Sequence, residues 1–111
     1  MVAALIGLGS LGWTVYQDRT AVPVTVVASD FAFAPTSIEV PANARVRLTF
    51  ENDGKEFHDL VVEGLPTVHA NARPGQRVVV TFTTPAAGSY QFICSVPGHA
   101  TAGMTGSLKV E

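Results

Sequence analysis

Tyr90-Gln91-Phe92-Ile93-Cys94-Ser95-Val96-Pro97-Gly98-His99-Ala100-Thr101-Ala102-Gly103-Met104-Thr105-Gly106 is the stretch around which the rest of the chain is organised. It starts as an alternating run, with Tyr90, Phe92 and Cys94 on one face by the strand period of two. Pro97-Gly98 then breaks the run. Cys94 is the only cysteine, His99 follows five residues later, and Met104 five beyond that. A thiolate, an imidazole and a thioether on one strand end and its loop are soft and borderline metal donors. A second imidazole would complete a four-donor set, and the chain offers His58 and His69.

Outward from this stretch the chain reads as short alternating segments punctuated by Pro, Gly and Asn, which is a β signature. Val24 to Ala28 and Ile38 to Val40 are expected strands. Between them Phe31 and Phe33 point one way and Pro35 ends the run. Arg45 to Phe50 alternates, with Val46, Leu48 and Phe50 inward and Arg45, Arg47 and Thr49 outward. After the turn residues Asn52-Asp53-Gly54-Lys55, a strand opens at His58, which shares a face with Leu60 and Val62. Gly64 to Gly75 carries Pro66 and Pro74 and is expected to be a connection, with His69 at the surface in a turn-rich setting. Gln76 to Thr83, Tyr90 to Cys94 and Gly106 to Glu111 supply the remaining strands. The pattern predicts an all-β, antiparallel sandwich or barrel of seven to eight strands.

Length and composition narrow the function. At 111 residues the chain is one domain with its own core. Hydrophobic residues make up 47% and charged residues 14%, which excludes a disordered chain. A formal net charge of -2 gives no electrostatic case for nucleic acid or an anionic membrane surface. One cysteine excludes a disulfide framework, a four-cysteine zinc site and the two-cysteine bridge of a dinuclear copper centre. Glu51, Asp53, Glu56, Asp59 and Glu63 face only Lys55, and read as a solvated face or as a docking patch for a basic partner.

Residues 1–16 contain no charged side chain. They are short for a spanning helix, yet Trp13 and Tyr16 sit where an interfacial aromatic belt would lie. No basic region precedes them and no small-x-small site follows. Residues 1–20 are therefore expected to be a hydrophobic anchor or signal segment, and residues 21–111 the folded domain.

Each donor is commonplace alone: a buried thiol is often inert and a methionine often fills a core gap. Together they match the trigonal His₂Cys arrangement with a weak axial Met that suits copper. His58 opens a strand that could neighbour the Cys94 strand, which favours it over His69. From Val22 to Glu111 the sequence resembles the cupredoxins, small blue-copper proteins of the plastocyanin and azurin type. The resemblance rests on Tyr90-x-Phe92-x-Cys94-x-Val96-Pro97-Gly98-His99, Ala102-Gly103-Met104-x-Gly106-x-Leu108-x-Val110, Phe31-x-Phe33-x-Pro35 and Phe57-His58-Asp59-Leu60-Val61. The two four-residue spacers of the last loop look like those of the auracyanin and rusticyanin type.

The resemblance implies a Greek-key sandwich and one copper ion, Cu(I) or Cu(II), held by His58, Cys94, His99 and Met104. It implies a one-electron carrier rather than an enzyme, since Met104 leaves no open position for substrate. Asp59 stands where many relatives have asparagine. It is expected to accept a hydrogen bond from Ser95, while the N–H groups of Asp59 and Val96 reach the Cys94 sulfur and tune the site. The His99 edge, ringed by Pro97, Gly98, Ala100, Ala102 and Gly103, is expected to dock redox proteins transiently, such as cytochromes or a membrane oxidase or reductase complex. The expected setting is a monomer outside the cytoplasm, in a periplasm or on the outer face of the membrane, tethered through residues 1–16. Two other readings are a copper carrier or chaperone and the cupredoxin subunit of a larger redox complex.

Overall fold

The structure, a computed structural model, describes residues 21–111. The expected hydrophobic anchor lies outside the described residues. Among the described residues nine strands form two packed sheets and there is no helix. The first sheet runs β2 (Ala32–Ala34), β1 (Val22–Ser29), β4 (Arg45–Asn52), β7 (Arg77–Thr83). The second runs β3 (Ser37–Val40), β9 (Thr105–Val110), β8 (Gly88–Ile93), β5 (His58–Val62), β6 (Leu65–Ala72).

The all-β sandwich expected from the alternation is present, but its sheets are mixed. β1 runs parallel to β4, and β3 parallel to β9. Side-chain alternation reports which face is buried and is blind to strand direction, so the sequence pattern could not show this. The expected connection from Gly64 to Gly75 is mostly strand β6. Pro66 is tolerated there because β6 is the edge of its sheet, where a missing N–H breaks no ladder. Val68, Ala70 and Ala72 alternate inward along it, leaving His69 exposed. Phe31 and Phe33 also do not share a face. Phe33 is buried in β2, whereas Phe31 occupies the two-residue turn before it at φ 72°.

The core lies between the inner faces. Val26, Val46, Leu48, Phe50, Leu60, Phe92, Leu108 and Val110 are almost wholly removed from water, each such side chain contributing roughly 1.5–3 kcal/mol of transfer free energy. Phe33 bridges the sheets, its ring 5.2 Å from that of Phe92 and 6.4 Å from that of Phe50. At one end of the sandwich this core gives way to buried polar residues: Asn52, His58, Asp59 and His99. That end collects the β1–β2 turn, the β4–β5 loop and the β8–β9 loop.

Candidate metal centre

Strand pairing brings the donors together. β5 and β8 are antiparallel neighbours, Val61 opposite Ile93, so the start of one and the end of the other share one end of the sheet. His58 opens β5 and Cys94 follows β8. The β8–β9 register, Ile93 opposite Thr105, sets Cys94 opposite Met104, and the Cys94 N–H donates to the Met104 carbonyl at 3.1 Å. Opposed residues of an antiparallel pair face the same side. Between them the loop is tied to itself: the His99 N–H donates to Val96 O, and the N–H groups of Ala102 and Met104 both donate to His99 O. Gly103, at φ 115°, takes a backbone conformation that side-chain-bearing residues rarely adopt.

His58, Cys94 and Met104 have no exposed surface and His99 has 5%. The two Nδ1 atoms lie 3.2 Å apart, and Cys94 Sγ is 3.5 Å from His99 Nδ1 and 3.9 Å from His58 Nδ1. Those separations suit donors around one ion bonded at about 2.0–2.3 Å. His69 is not among them; its ring sits outside the sheet and reaches Asp59 Oδ2 at 3.3 Å.

The outer nitrogens show why this cluster fits a cation. His58 Nε2 meets Asp30 Oδ1 at 2.9 Å, and His99 Nε2 meets Glu56 Oε1 at 3.1 Å. A carboxylate only accepts, so each Nε2 carries the proton. With Nε2 engaged on the outer side, Nδ1 is the atom that each ring turns inward. Two imidazole nitrogens and a sulfur gathered this closely in a buried pocket are a donor set that a soft cation can bind all at once.

The surroundings bear on the sulfur. Burial pushes the Cys94 thiol above its ordinary range, while the backbone N–H groups of Asp59 and Val96, directed at the sulfur, pull it back. Asp59 also spans the two halves of the site: its Oδ1 accepts the Ser95 N–H at 2.6 Å and its Oδ2 the Ser95 hydroxyl. Around the buried His99, Pro97, Gly98, Ala102 and Gly103 are exposed and Ala100 is half-buried.

The pattern Cupredoxin-like domain matches residues 1–105. The chain is a cupredoxin. Auracyanin-B of Chloroflexus aurantiacus is 35% identical over 89% of this chain and 56% of its own length. Rusticyanin of Acidithiobacillus ferrooxidans is 33% identical over 68% of this chain and 60% of its own. The cupredoxin described here thus spans about three-fifths or less of either relative. A solved structure of auracyanin B superposes with a TM-score of 0.74 at 32% identity, covering 82% of this chain and 89% of that one. Family and donor set agree on one copper, with His58, Cys94, His99 and Met104 arranged as a type 1 site.

Three residues at this cupredoxin site have a role that the sequence alone did not assign to them. Asp30 and Glu56 hold the outer nitrogens, and Phe31 sets its ring edge-on to His99 at 5.0 Å and to His58 at 6.4 Å. The acidic run is not one solvated face either. Asp59 is buried, Glu56 rests on His99, and Glu51 pairs with Arg77 at 3.3 Å.

Proposed function

We propose that this cupredoxin is a one-electron carrier, its copper held by His58 and His99 through Nδ1, by the Cys94 thiolate and by the Met104 thioether. The observation that carries the reading is the pair of inward Nδ1 atoms beside the Cys94 sulfur, each ring backed by a carboxylate on its far side. Copper bound there supplies one-electron cycling between Cu(I) and Cu(II). The chain's part is to keep four donors still, exclude water and leave no open position for a substrate. The N–H groups of Asp59 and Val96 disperse charge on the sulfur and raise the potential.

Electrons pass at the His99 side, where Pro97, Gly98, Ala100, Ala102 and Gly103 form a surface of small residues. Phe31, 38% exposed and edge-on to His99, extends it with apolar area. Such a surface fits brief encounters with redox proteins such as cytochromes or a membrane oxidase or reductase complex. The carrier works as a monomer outside the cytoplasm, with the uncharged residues 1–16 as its membrane tether.

Adding Cu(II) to the purified metal-free protein should give the intense thiolate-to-copper charge-transfer colour. Cys94→Ser should abolish it, and a colourless wild-type product would sink the proposal. Stable binding of both oxidation states with fast self-exchange supports the carrier; a readily exchanged Cu(I) site alone would favour a copper chaperone.

A further inference from the structure

Asp30 sits 28 residues before His58, in the turn between β1 and β2, yet its carboxylate is a junction for the copper end of the sandwich. Oδ1 meets His58 Nε2 at 2.9 Å and accepts the Lys55 N–H at 3.0 Å and the Glu56 N–H at 3.3 Å. Oδ2 accepts the Lys55 N–H at 3.1 Å. The carboxylate on the other donor imidazole, Glu56, is 54% exposed, whereas His58 is wholly buried and no water reaches its ring. A buried ring N–H needs a partner, and Asp30 is the one it has.

The packing keeps that partner in place. A Cβ on Gly54 would collide with Asp30 Oδ1 and stand 2.9 Å from His58 Nε2, so only a hydrogen fits over the pair. Phe31, the next residue, is held at φ 72°, a conformation costly for a bulky side chain. The turn that aims Asp30 is thus kept against local preference, as happens where a site dictates the backbone.

We infer that Asp30 is a positioning residue that fixes the His58 tautomer, holding the proton on Nε2 so that Nδ1 stays a bare donor, and that its charge favours Cu(II) over Cu(I). The inference rests on the copper reading of His58. Without Asp30 the ring has a better use for its proton: Nδ1–H could donate to His99 Nδ1, 3.2 Å away, and block the donor. The carboxylate also strengthens the imidazole as a ligand, which counts for more with the higher oxidation state.

The first measurement needs no variant. A long-range proton–nitrogen NMR spectrum of the metal-free protein, above the ordinary histidine range, should show His58 protonated at Nε2 alone. A His58 proton on Nδ1 overturns the inference. Asp30→Ala should shift His58 toward the Nδ1–H form and weaken Cu(II) binding about 10- to 100-fold. Asp30→Asn keeps an accepting oxygen, so it should preserve the tautomer and lower Cu(II) affinity more than Cu(I) affinity. Each tenfold difference between the two raises the potential by about 59 mV. Asp53→Asn, an exposed neighbour that does not touch His58, should change neither.

A mere loop clamp predicts lower stability in Asp30→Ala with tautomer, affinity ratio and potential unchanged, and that result overturns the inference. If Asp30→Ala does not fold, the wild-type spectrum and Asp30→Asn decide it. Loss of the copper colour in wild type, with Nε2–H intact in the spectrum, would instead remove the copper reading.

Discussion

His58 and His99 approach within 3.2 Å of each other from unlike supports. His58 belongs to β5, a strand paired on both sides, and is flanked by side-chain hydrogen bonds from Asp30, Asn52 and Asp59 to neighbouring elements. His99 belongs to a loop held by its own backbone bonds, with glycines at positive φ on either side of the histidine. Asp59, anchored on β5, grips that loop with a buried side chain through Ser95, while Glu56 holds His99 Nε2 with an exposed one. One half of the site is thus built into a sheet and the other is fastened to it at one buried joint.

The joint is where the largest effect is expected. Asp59→Ala strips the Ser95 N–H and hydroxyl of a buried acceptor, and a hydrogen bond to a charged group is worth about 1.5–3 kcal/mol. Denaturant unfolding should show a loss of about 3 kcal/mol. Hydrogen exchange should show residues 95–104 losing protection while β5 keeps it; equal loss in both would erase the distinction between the halves.

Asn52→Ala tests the sheet half. Asn52 Nδ2 donates to Glu56 O at 2.8 Å and Ala72 O at 2.9 Å, and Oδ1 accepts the Gly54 N–H at 2.8 Å. One buried side chain therefore links β4, the end of β6 and the loop carrying Glu56. Its removal should cost about 2 kcal/mol and loosen residues 53–57 rather than 95–104. Measured by the same exchange experiment, the two variants should give complementary patterns.

The loop half was the legible one. Cys94, His99 and Met104 fall within eleven residues (94 to 104), and their donor chemistry reads directly from that spacing. His58 was reachable because strand alternation gives its facing. Asp30, Phe31 and Glu56 were not, because sheet topology brings three separate connections to one end of the sandwich, and no local period encodes that. The parallel pairing of β1 with β4 escaped for a related reason: Val26 opposite Phe50 looks the same in sequence whichever way the strands run. β6 was misread because Pro66 outweighed a real alternation, Val68-x-Ala70-x-Ala72, that an edge strand permits.

The sulfur is touched by both halves, since Asp59 N–H comes from β5 and Val96 N–H from the loop. Because burial raises the thiol, the metal-free fold favours its protonated form. Stability from this source is full below the unfolded thiol value, about 8.5, and is lost as pH rises through the higher folded one. Copper loading runs oppositely. It expels the proton, so above the ordinary histidine range apparent affinity should climb about tenfold per pH unit until the folded thiol ionises. That is about 1.4 kcal/mol per unit, read by competition titration at a series of pH values.

His69→Ala is the smallest and finest test. The ring is half-exposed and meets Asp59 Oδ2 at 3.3 Å, the same oxygen that accepts the Ser95 hydroxyl. If Asp59 owed its orientation to His69, the joint would begin at the surface and pass inward from an exposed residue. The competing bonds argue otherwise, because those from Ser95 are shorter and include a backbone N–H that the loop holds in place. A half-exposed pair of this kind is worth less than about 1 kcal/mol. The variant should unfold within that margin of wild type, keep the copper colour, and leave residues 95–104 as protected from exchange as before. Loss of protection there would move the fastening point of the loop from Asp59 out to β6.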